Sequence, residues 1–230
     1  MKNYKDIPIF INSFNRPTFL MQLIYKLHSL GYENIHIIDN ASTDPVTLAY
    51  LSICPYTVHR ISENKGQNVI WTENILEKTD YAGKFYVYTD CDLYPVERCP
   101  DNFMQIFLEG HEKLQVDKVG FGLVHHNIPP HYSRQKDVMV WEDQFWKRKV
   151  IYHHLTYFYK AAIDTTFALY SPNSQFHSHN SLRTGYPYLA THLPWYENSS
   201  KPFFELNNYR SLSTPGINSW DSGGNKIESK

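Results

Sequence analysis

Two acidic residues separated by a single residue, Asp90 and Asp92, lie at the end of an apolar run at 85–88. Such a run predicts a buried strand that delivers both carboxylates to its carboxyl end, where open α/β sheets bind ligands. Hard oxygen ligands suit Mg²⁺ or Mn²⁺ better than zinc. A cation bound by these acids and completed by substrate phosphates could stabilise a diphosphate as it departs. Paired acids also occur as solvated turn residues, so the motif gains meaning only from the motifs that accompany it.

Short apolar runs alternating with amphipathic stretches are the elements that would position this pair. The pattern predicts strands at 7–11, 35–38, 57–61 and 85–88, and helices at 17–30, 46–53 and 69–76. Alternation of this kind is typical of βαβ units with parallel strands. Three turns, at 12–16, 39–42 and 90–92, follow three of these strands and should converge on one edge of the sheet.

The second half of the chain has a looser pattern. It predicts a helix at 103–114, a strand at 118–124, an aromatic helix at 141–151 and a strand within 162–170 that Asp164 opens. No internal repeat or low-complexity linker separates the two halves, so we expect them to share one core. The predicted fold class is α/β, a single Rossmann-like domain with a mixed, mostly parallel sheet flanked by helices.

Charge and composition argue against several classes of protein. The 22 Lys and Arg nearly balance the 23 Asp and Glu, which leaves no general electrostatic argument for a nucleic-acid partner or an anionic membrane surface. No stretch approaches the roughly 20 apolar residues that span a bilayer, and the amino terminus lacks the apolar core of a secretory signal. We therefore expect a cytoplasmic protein with no membrane span, which leaves room for peripheral contact with the inner face of the membrane. Three cysteines without C-x-x-C spacing predict reduced thiols.

The edge formed by the three turns has the side chains that a nucleoside diphosphate needs. Asp39 could bind the ribose or the base, side-chain amides could add hydrogen bonds, and Arg16 or Lys65 could supply a cation. The sequence has neither G-x-x-x-x-G-K-[ST] nor G-x-G-x-x-G, so phosphates would be bound through a metal rather than by a glycine-rich loop. Asp39 is as readily explained as a turn or helix-capping residue.

The order of these motifs resembles that of a known family. Family 2-like glycosyltransferases with the GT-A fold have similar motifs in the same order, here at 8–16 (PIFINSFNR), 37–44 (IIDNASTD), 64–66 (NKG) and 90–92 (DCD). The resemblance implies a GT-A domain over 1–215, with a nucleotide-binding half at 1–100 and an acceptor-side half at 101–215. The polar, Gly-rich composition of 216–230 predicts a flexible tail. The resemblance also implies a nucleoside diphosphate sugar as donor, with the uridine type favoured, and Mn²⁺ or Mg²⁺ as cofactor.

The resemblance carries over to individual positions. It implies that the nucleotide sugar is bound by seven residues: Asn12, Phe14, Arg16, Asp39, Asn40, Lys65 and Asp90. Asp92 would be the direct metal ligand, and a histidine late in the chain would complete the metal site. His192 is the candidate because an imidazole suits Mn²⁺, although a histidine hydrogen-bonded beneath the turn at 194–195 is a plainer explanation. Four other histidines compete for the role: His125, His126, His177 and His179.

Glycosyl transfer with inversion needs a base that takes the proton of the acceptor hydroxyl. Asp164, with two threonines beside it, is the first candidate. The family commonly carries a Glu-Asp pair whose aspartate is the base, and Glu142 with Asp143 matches that pair. However, this pair precedes the predicted strand on the acceptor side, whereas the family's pair follows it. Asp164 is therefore favoured over Asp143, and the later acids Glu197 and Glu205 remain further options.

Aromatic residues make up 16% of the chain, and their flat faces can stack on sugars. Trp195 and Tyr196 are the predicted acceptor-binding pair, and Trp141 and Trp146 could form further stacking walls. A role in the buried core explains each tryptophan equally well.

Together these features predict a metal-dependent glycosyltransferase of the hexosyltransferase type, acting with inversion on a hydroxyl of a glycan or glycolipid. The resemblance alone implies biosynthesis of bacterial surface polysaccharide. Two alternatives remain. A sugar nucleotidyltransferase usually needs a basic triphosphate loop, where the turn at 12–17 offers only Arg16. A non-catalytic carbohydrate-binding protein would also explain the aromatic content.

Overall fold

Strands rich in Ile, Val and Tyr build the first half of the sheet. The computed structural model describes residues 3–153, 156–172, 174–175 and 179–212. The first four strands are β1 (Ile9–Ser13), β2 (Ile35–Asn40), β3 (Thr57–Ile61) and β4 (Tyr86–Asp90). They lie in the order β3-β2-β1-β4, and each neighbouring pair is parallel. The predicted strands are confirmed to within two residues, and their carboxyl ends share one edge of the sheet.

The same sheet continues through the second half of the chain. The remaining strands are β5 (Leu93–Pro95), β6 (Lys118–Leu123), β7 (Lys149–His153), β8 (Thr156–Lys160), β9 (Ala168–Tyr170) and β10 (Ser181–His192). The order of the ten-stranded sheet is β3-β2-β1-β4-β9-β6-β10-β8-β7, and β5 pairs with β10 beside this path. Because β9 is antiparallel to both β4 and β6, β6 and its parallel neighbour β10 point the same way as β1 to β4.

In the part of the chain that the structure describes, six α-helices flank the sheet. They are α1 (Pro17–Ser29), α2 (Pro45–Ile53), α3 (Val69–Thr72), α4 (Phe103–Leu114), α5 (Gln135–Asp143) and α6 (Phe204–Leu212). Pro17 occupies the first position of α1, where its missing N–H has no intrahelical partner to lose. Asp44 begins α2 by accepting a hydrogen bond at 2.8 Å from the backbone N–H of Thr47. Within the described residues, no helix has both the length and the hydropathy that a membrane crossing requires.

The core lies on both faces of the sheet. Alternate residues of β1 point to opposite faces. Ile9 and Ile11 join a large apolar cluster with α1 and α4, whereas Phe10 joins a second cluster with Tyr86 and Tyr88. This arrangement confirms the predicted fold class, a Rossmann-like α/β domain with a mixed, mostly parallel sheet flanked by helices.

Two predicted helices are shorter in the structure. The helix predicted at 69–76 is a single turn, α3, followed by a turn in which Asn74 has a φ of 50°. The prediction of a helix at 141–151 is wrong. α5 ends at Asp143, a 3-10 turn follows at Gln144–Trp146, and β7 begins at Lys149. Pairing of β7 with β8 overrides the helical spacing of the aromatic residues.

The strand predicted within 162–170 is also wrong in its extent. It is present only as β9, which begins at Ala168, so Asp164 lies in an irregular segment before the strand. The backbone oxygens of Ala162 and Ile163 accept hydrogen bonds from the side chains of Arg183 and Lys118. At these positions side chains donate the hydrogen bonds that the backbone N–H groups of a paired strand would otherwise supply. The predicted tail at 216–230 and the histidine at 177 lie outside the described residues.

Candidate active site

A cavity of about 390 Å³ lies at the carboxyl edge of the parallel strands. Its volume is within the range of small-molecule sites, about 300–1,000 Å³. The turns after β1, β2, β3 and β4 all contribute to its lining, as do the segment before β9, the end of α5 and the end of β10. The predicted convergence of the turns on one edge is therefore observed.

An amide network ties the carboxyl ends of β1, β2 and β4 to the turn after β3. Asn12 Nδ2 donates to Asp90 Oδ1 at 3.1 Å, and Asn40 Nδ2 donates to Asn12 Oδ1 at 3.2 Å. Asn40 also donates to the backbone oxygen of Gly66 at 2.9 Å and accepts from the backbone N–H of Lys65 at 2.8 Å. Asn12 and Asn40 thus line the cavity and also fix the carboxylate of Asp90.

Asp90 and Asp92 face the cavity from the end of β4 and the turn after it. Asp90 Oδ2 accepts a hydrogen bond from Thr165 Oγ1 at 2.5 Å. Burial, followed by the like charge of Asp92, raises the pKa of Asp90 well above its ordinary value. A nearby cation would relieve this repulsion, because it would favour the charged form of both acids.

His192 is brought next to Asp92 by the pairing of β5 with β10. Their register places His192 opposite Leu93, and the backbone N–H of Leu193 donates to the backbone oxygen of Asp92 at 2.9 Å. His192 Nε2 lies 3.7 Å from Asp92 Oδ2. The ring of His192 packs on Trp195, with 4.7 Å between ring centroids.

The pair Asp92 and His192 fits a divalent cation. Asp92 Oδ1 and His192 Nδ1 are both buried and have no hydrogen-bond partner. Such orphaned polar atoms are costly unless a ligand or ion satisfies them. Among the described residues, no three His, Cys, Asp or Glu side chains are grouped closely enough to hold a metal ion by themselves. The chain would therefore supply few ligands, as is usual for Mg²⁺, which retains waters and binds substrate phosphates.

Arg16 reaches the cavity beside α6. It is only 4% exposed, and its Nη2 lies 3.1 Å from Glu197 Oε2 and its Nε lies 3.6 Å from Glu205 Oε1. Its guanidinium also stacks on the ring of Tyr209 at 4.7 Å. Burial disfavours the charged form of Arg16, but Glu197 and Asp92 more than offset this effect and raise its pKa. Glu197 and Glu205, considered above as bases, are thus ion-paired to Arg16.

The other predicted nucleotide-binding residues differ in position. Phe14 lines the cavity and packs edge-on against Tyr209, with 6.1 Å between ring centroids. Asp39 is buried, lies outside the cavity lining, and accepts a hydrogen bond at 3.0 Å from the backbone N–H of Ser42. Lys65 also lies outside the lining, and its ammonium group pairs at 2.7 Å with Glu63 on the surface. Asp39 therefore has the contacts of a turn residue.

Of the two candidate bases, the structure brings Asp164 to the cavity and not Asp143. Asp164 is exposed and lines the cavity. The side chain of Asp143 is 67% exposed and pairs at 2.8 Å with His125 Nε2, outside the lining. Glu142, its neighbour, does line the cavity, where its Oε2 accepts from Arg183 Nη1 at 2.8 Å. Sequence reasoning missed this buried ion pair, because the two residues are 41 positions apart.

The aromatic residues around the cavity differ from those predicted to contact an acceptor. Trp195 contributes to the cavity lining but is only 2% exposed, and Tyr196 lies outside the lining with its hydroxyl bonded to Asn127. Trp141 and Phe145 are partly exposed and do line it. Among the competing histidines that the structure describes, His179 lines the cavity, whereas His125 and His126 do not.

Comparisons with known proteins give limited results. No protein-family model and no curated protein matches the sequence. A crystal structure of UDP-glucose pyrophosphorylase complexed with UDP-glucose is similar to this chain with 11% sequence identity and a TM-score of 0.36, and the match covers 77% of this chain and 73% of that one. The chemistry of the cavity must therefore be inferred from its own residues.

Proposed function

We propose that this chain is a metal-dependent glycosyltransferase. It moves a sugar from a nucleoside diphosphate sugar to a hydroxyl of a glycan or glycolipid, with inversion at the sugar. One observation carries the proposal: a single cavity is lined both by the neighbouring side chains of Asp92 and His192 and by the exposed Asp164. A cation-binding pair and a carboxylate that is accessible from the cavity are the two things that such a transfer needs.

The donor would occupy the side of the cavity built from the turns after β1, β2 and β4. Asp92 and His192 would hold Mg²⁺ or Mn²⁺, which when bound supplies positive charge to the diphosphate oxygens. Arg16 lines the same side of the cavity, but its charge is already balanced by Glu197 and Glu205, so the cation would supply most of the positive charge. The amide group of Asn12, which makes one N–H donation within the network, offers a further hydrogen bond to the nucleoside, and the ring of Phe14 offers an apolar face to its base.

Activation of the acceptor is assigned to Asp164. Its carboxylate would accept the proton of the attacking hydroxyl as the bond from that oxygen to the sugar forms and the bond to the diphosphate breaks. Trp141 and Phe145 line the same cavity and would supply flat apolar faces for the acceptor ring.

The charge of the cavity favours a diphosphate donor over a triphosphate. Among its described lining residues, the arginines are Arg16 and Arg183, and each is already paired with a carboxylate, Glu197 and Glu142 respectively. A nucleotidyltransferase must bind a nucleoside triphosphate of higher negative charge. The cavity offers few positive charges for such a substrate.

The test is a thermal-shift screen of UDP-, GDP- and dTDP-linked sugars, each with and without Mn²⁺. A ligand that binds only the folded protein raises its melting temperature. We expect one class of nucleotide sugar to stabilise the protein only when Mn²⁺ is present. Stabilisation by none of them would overturn the proposal, and release of pyrophosphate from a nucleoside triphosphate and a sugar 1-phosphate would replace it with nucleotidyl transfer.

A further inference from the structure

The segment at 162–165, which carries Asp164, is irregular but firmly held. It lies between β8 and β9, and the side chains of two neighbouring strands donate to its backbone. Arg183 Nε, from β10, donates to the oxygen of Ala162 at 2.8 Å, and Lys118 Nζ, from β6, donates to the oxygen of Ile163 at 2.9 Å. The two carbonyls that directly precede Asp164 are therefore both bound by cationic side chains.

The far end of the segment is held by the acid pair of the cavity. The backbone N–H of Asp90 donates to the oxygen of Thr165 at 3.0 Å, and Thr165 Oγ1 donates to Asp90 Oδ2. The backbone N–H of Thr165 also donates to Asp164 Oδ1 at 2.9 Å, which orients that carboxylate. Asp164 thus stands between two fixed points, the buried cations on one side and Asp90 on the other.

Both cations are buried at a cost. Lys118 is 1% exposed, and burial lowers its pKa to about 8, while the negative charge of Asp164 acts in the opposite direction. Burial also lowers the pKa of Arg183, and Glu142 and Asp164 oppose the effect. A buried charge is strongly disfavoured unless it is paired and hydrogen-bonded. Arg183 has Glu142 as its ion-pair partner, and Lys118 donates to the segment itself.

We propose that Lys118 and Arg183 are positioning residues that hold the 162–165 segment and thereby fix the carboxylate of Asp164 in the cavity. Lys118 lies outside the cavity lining, so it acts through the backbone of the segment. The inference rests on the proposed function only for the role of Asp164 as base. The positioning of the segment itself can be measured in the absence of any substrate.

The chain offers a matched control for a buried lysine. Lys26, in α1, is 5% exposed and donates to the backbone oxygen of Glu97 at 3.1 Å, a residue outside the cavity lining. Lys26→Met therefore removes the same kind of buried bond at another place. Lys118→Met removes the bond to the segment and keeps a side chain of similar length.

The first measurement is hydrogen exchange of the peptide covering 161–167. We expect exchange about tenfold faster in Lys118→Met than in the wild type and unchanged in Lys26→Met, because only the first variant frees the segment. Should Lys118→Met fail to fold, Arg183→Lys is the substitute, since it keeps a positive charge near Glu142 but shortens the reach to Ala162. Unchanged exchange in the variant that folds, or equal acceleration in Lys26→Met, would overturn the proposal.

The second measurement is steady-state kinetics with the nucleotide sugar that the wild type turns over in the presence of Mn²⁺. Misplacement of a catalytic group by about 1 Å can cost about 100-fold in rate. We therefore expect a 10- to 100-fold lower kcat, on the order of that estimate, and a donor KM within about twofold of the wild type. A raised donor KM with an unchanged kcat would contradict the positioning role. If the wild type neither binds nor turns over a nucleotide sugar, the proposed function fails, and hydrogen exchange still decides whether these cations hold the segment.

Discussion

Replacement of Asp92 by Asn should remove cation-dependent ligand binding and leave the fold intact. In the ligand-free chain Asp92 repels Asp90, attracts Arg16, and has one buried oxygen without a hydrogen bond. Each of these contributions is about 1 kcal/mol, and the attraction to Arg16 opposes the other two. We therefore expect the free energy of unfolding of the apoprotein to change by no more than about 1 kcal/mol. In a chain of this size, that change shifts Tm by at most about 2–4 °C.

Ligand binding should change the Tm by more than the substitution itself does. A nucleotide sugar present at about 100 times its Kd stabilises the folded state by about 2.7 kcal/mol. This corresponds to an increase in Tm of about 5–10 °C. Because Asn carries no charge, Asp92→Asn should lose the Mn²⁺-dependent part of this increase while the Tm of the apoprotein stays nearly constant.

The assay is thermal unfolding of both proteins with and without Mn²⁺ and the nucleotide sugar that stabilises the wild type most. Asp137→Asn is the matched control, because Asp137 is exposed and pairs only with the side chain of Arg134 among the ion pairs described. The control should keep the full ligand-dependent increase in Tm. An undiminished increase in Asp92→Asn would refute the assignment of Asp92 as a cation ligand, and a fall of more than about 4 °C in the apoprotein would instead make it a structural residue.

Three further predictions follow from the geometry. Asp164→Asn should lower kcat by about 10²- to 10⁴-fold, whereas Asp143→Asn should leave steady-state kinetics unchanged; the reverse result would make Asp143 the base. Burial and the neighbouring His59 lower the pKa of His36 to about 4 in the folded protein. In the unfolded chain His36 has its ordinary pKa of about 6.5, so it is protonated there first as the pH falls. The free energy of unfolding measured by urea titration should therefore decrease by up to about 3 kcal/mol between pH 6.5 and 4. His36→Phe should reduce this pH dependence, and an unchanged dependence in that variant would show that other groups cause it. Gly120→Ala should lower the free energy of unfolding, measured with denaturant, by about 2 kcal/mol or more, because a Cβ at this position would lie 2.5 Å from the backbone oxygen of Phe167. An unchanged free energy of unfolding would contradict this close packing.

The parallel half of the sheet is predictable because its signals are local. β1, β2 and β4 are buried on both faces, so their residues form nearly continuous apolar runs, and a polar turn marks the end of each. β10 has no such signal. It contains Arg183 and Pro187, and the burial of Arg183 depends on Glu142 from a distant helix. Only the assembled tertiary structure supplies the partner that makes a charged residue acceptable in a buried strand.

The candidate site is predictable at the level of residue type but not of side-chain direction. An aspartate after a strand can face a ligand or accept a hydrogen bond from its own turn, and both uses require the same residue in the same place. Asp92 faces the cavity, whereas Asp39 bonds to the backbone of its turn. Likewise, the segment before β9 has strand-forming residues, but long-range bonds from Lys118 and Arg183 determine its course.

The short pairing of β5 with β10 ties the chemistry of the site to the completion of the fold. Asp92 and His192 are far apart in the sequence, and the pairing of β5 with β10 makes them neighbours. In a chain in which β10 has not yet paired with β5, Asp92 would lack the imidazole of His192 as its neighbour. A divalent ion held by both residues would bind only a chain in which β10 has paired with β5, so its binding would stabilise that pairing.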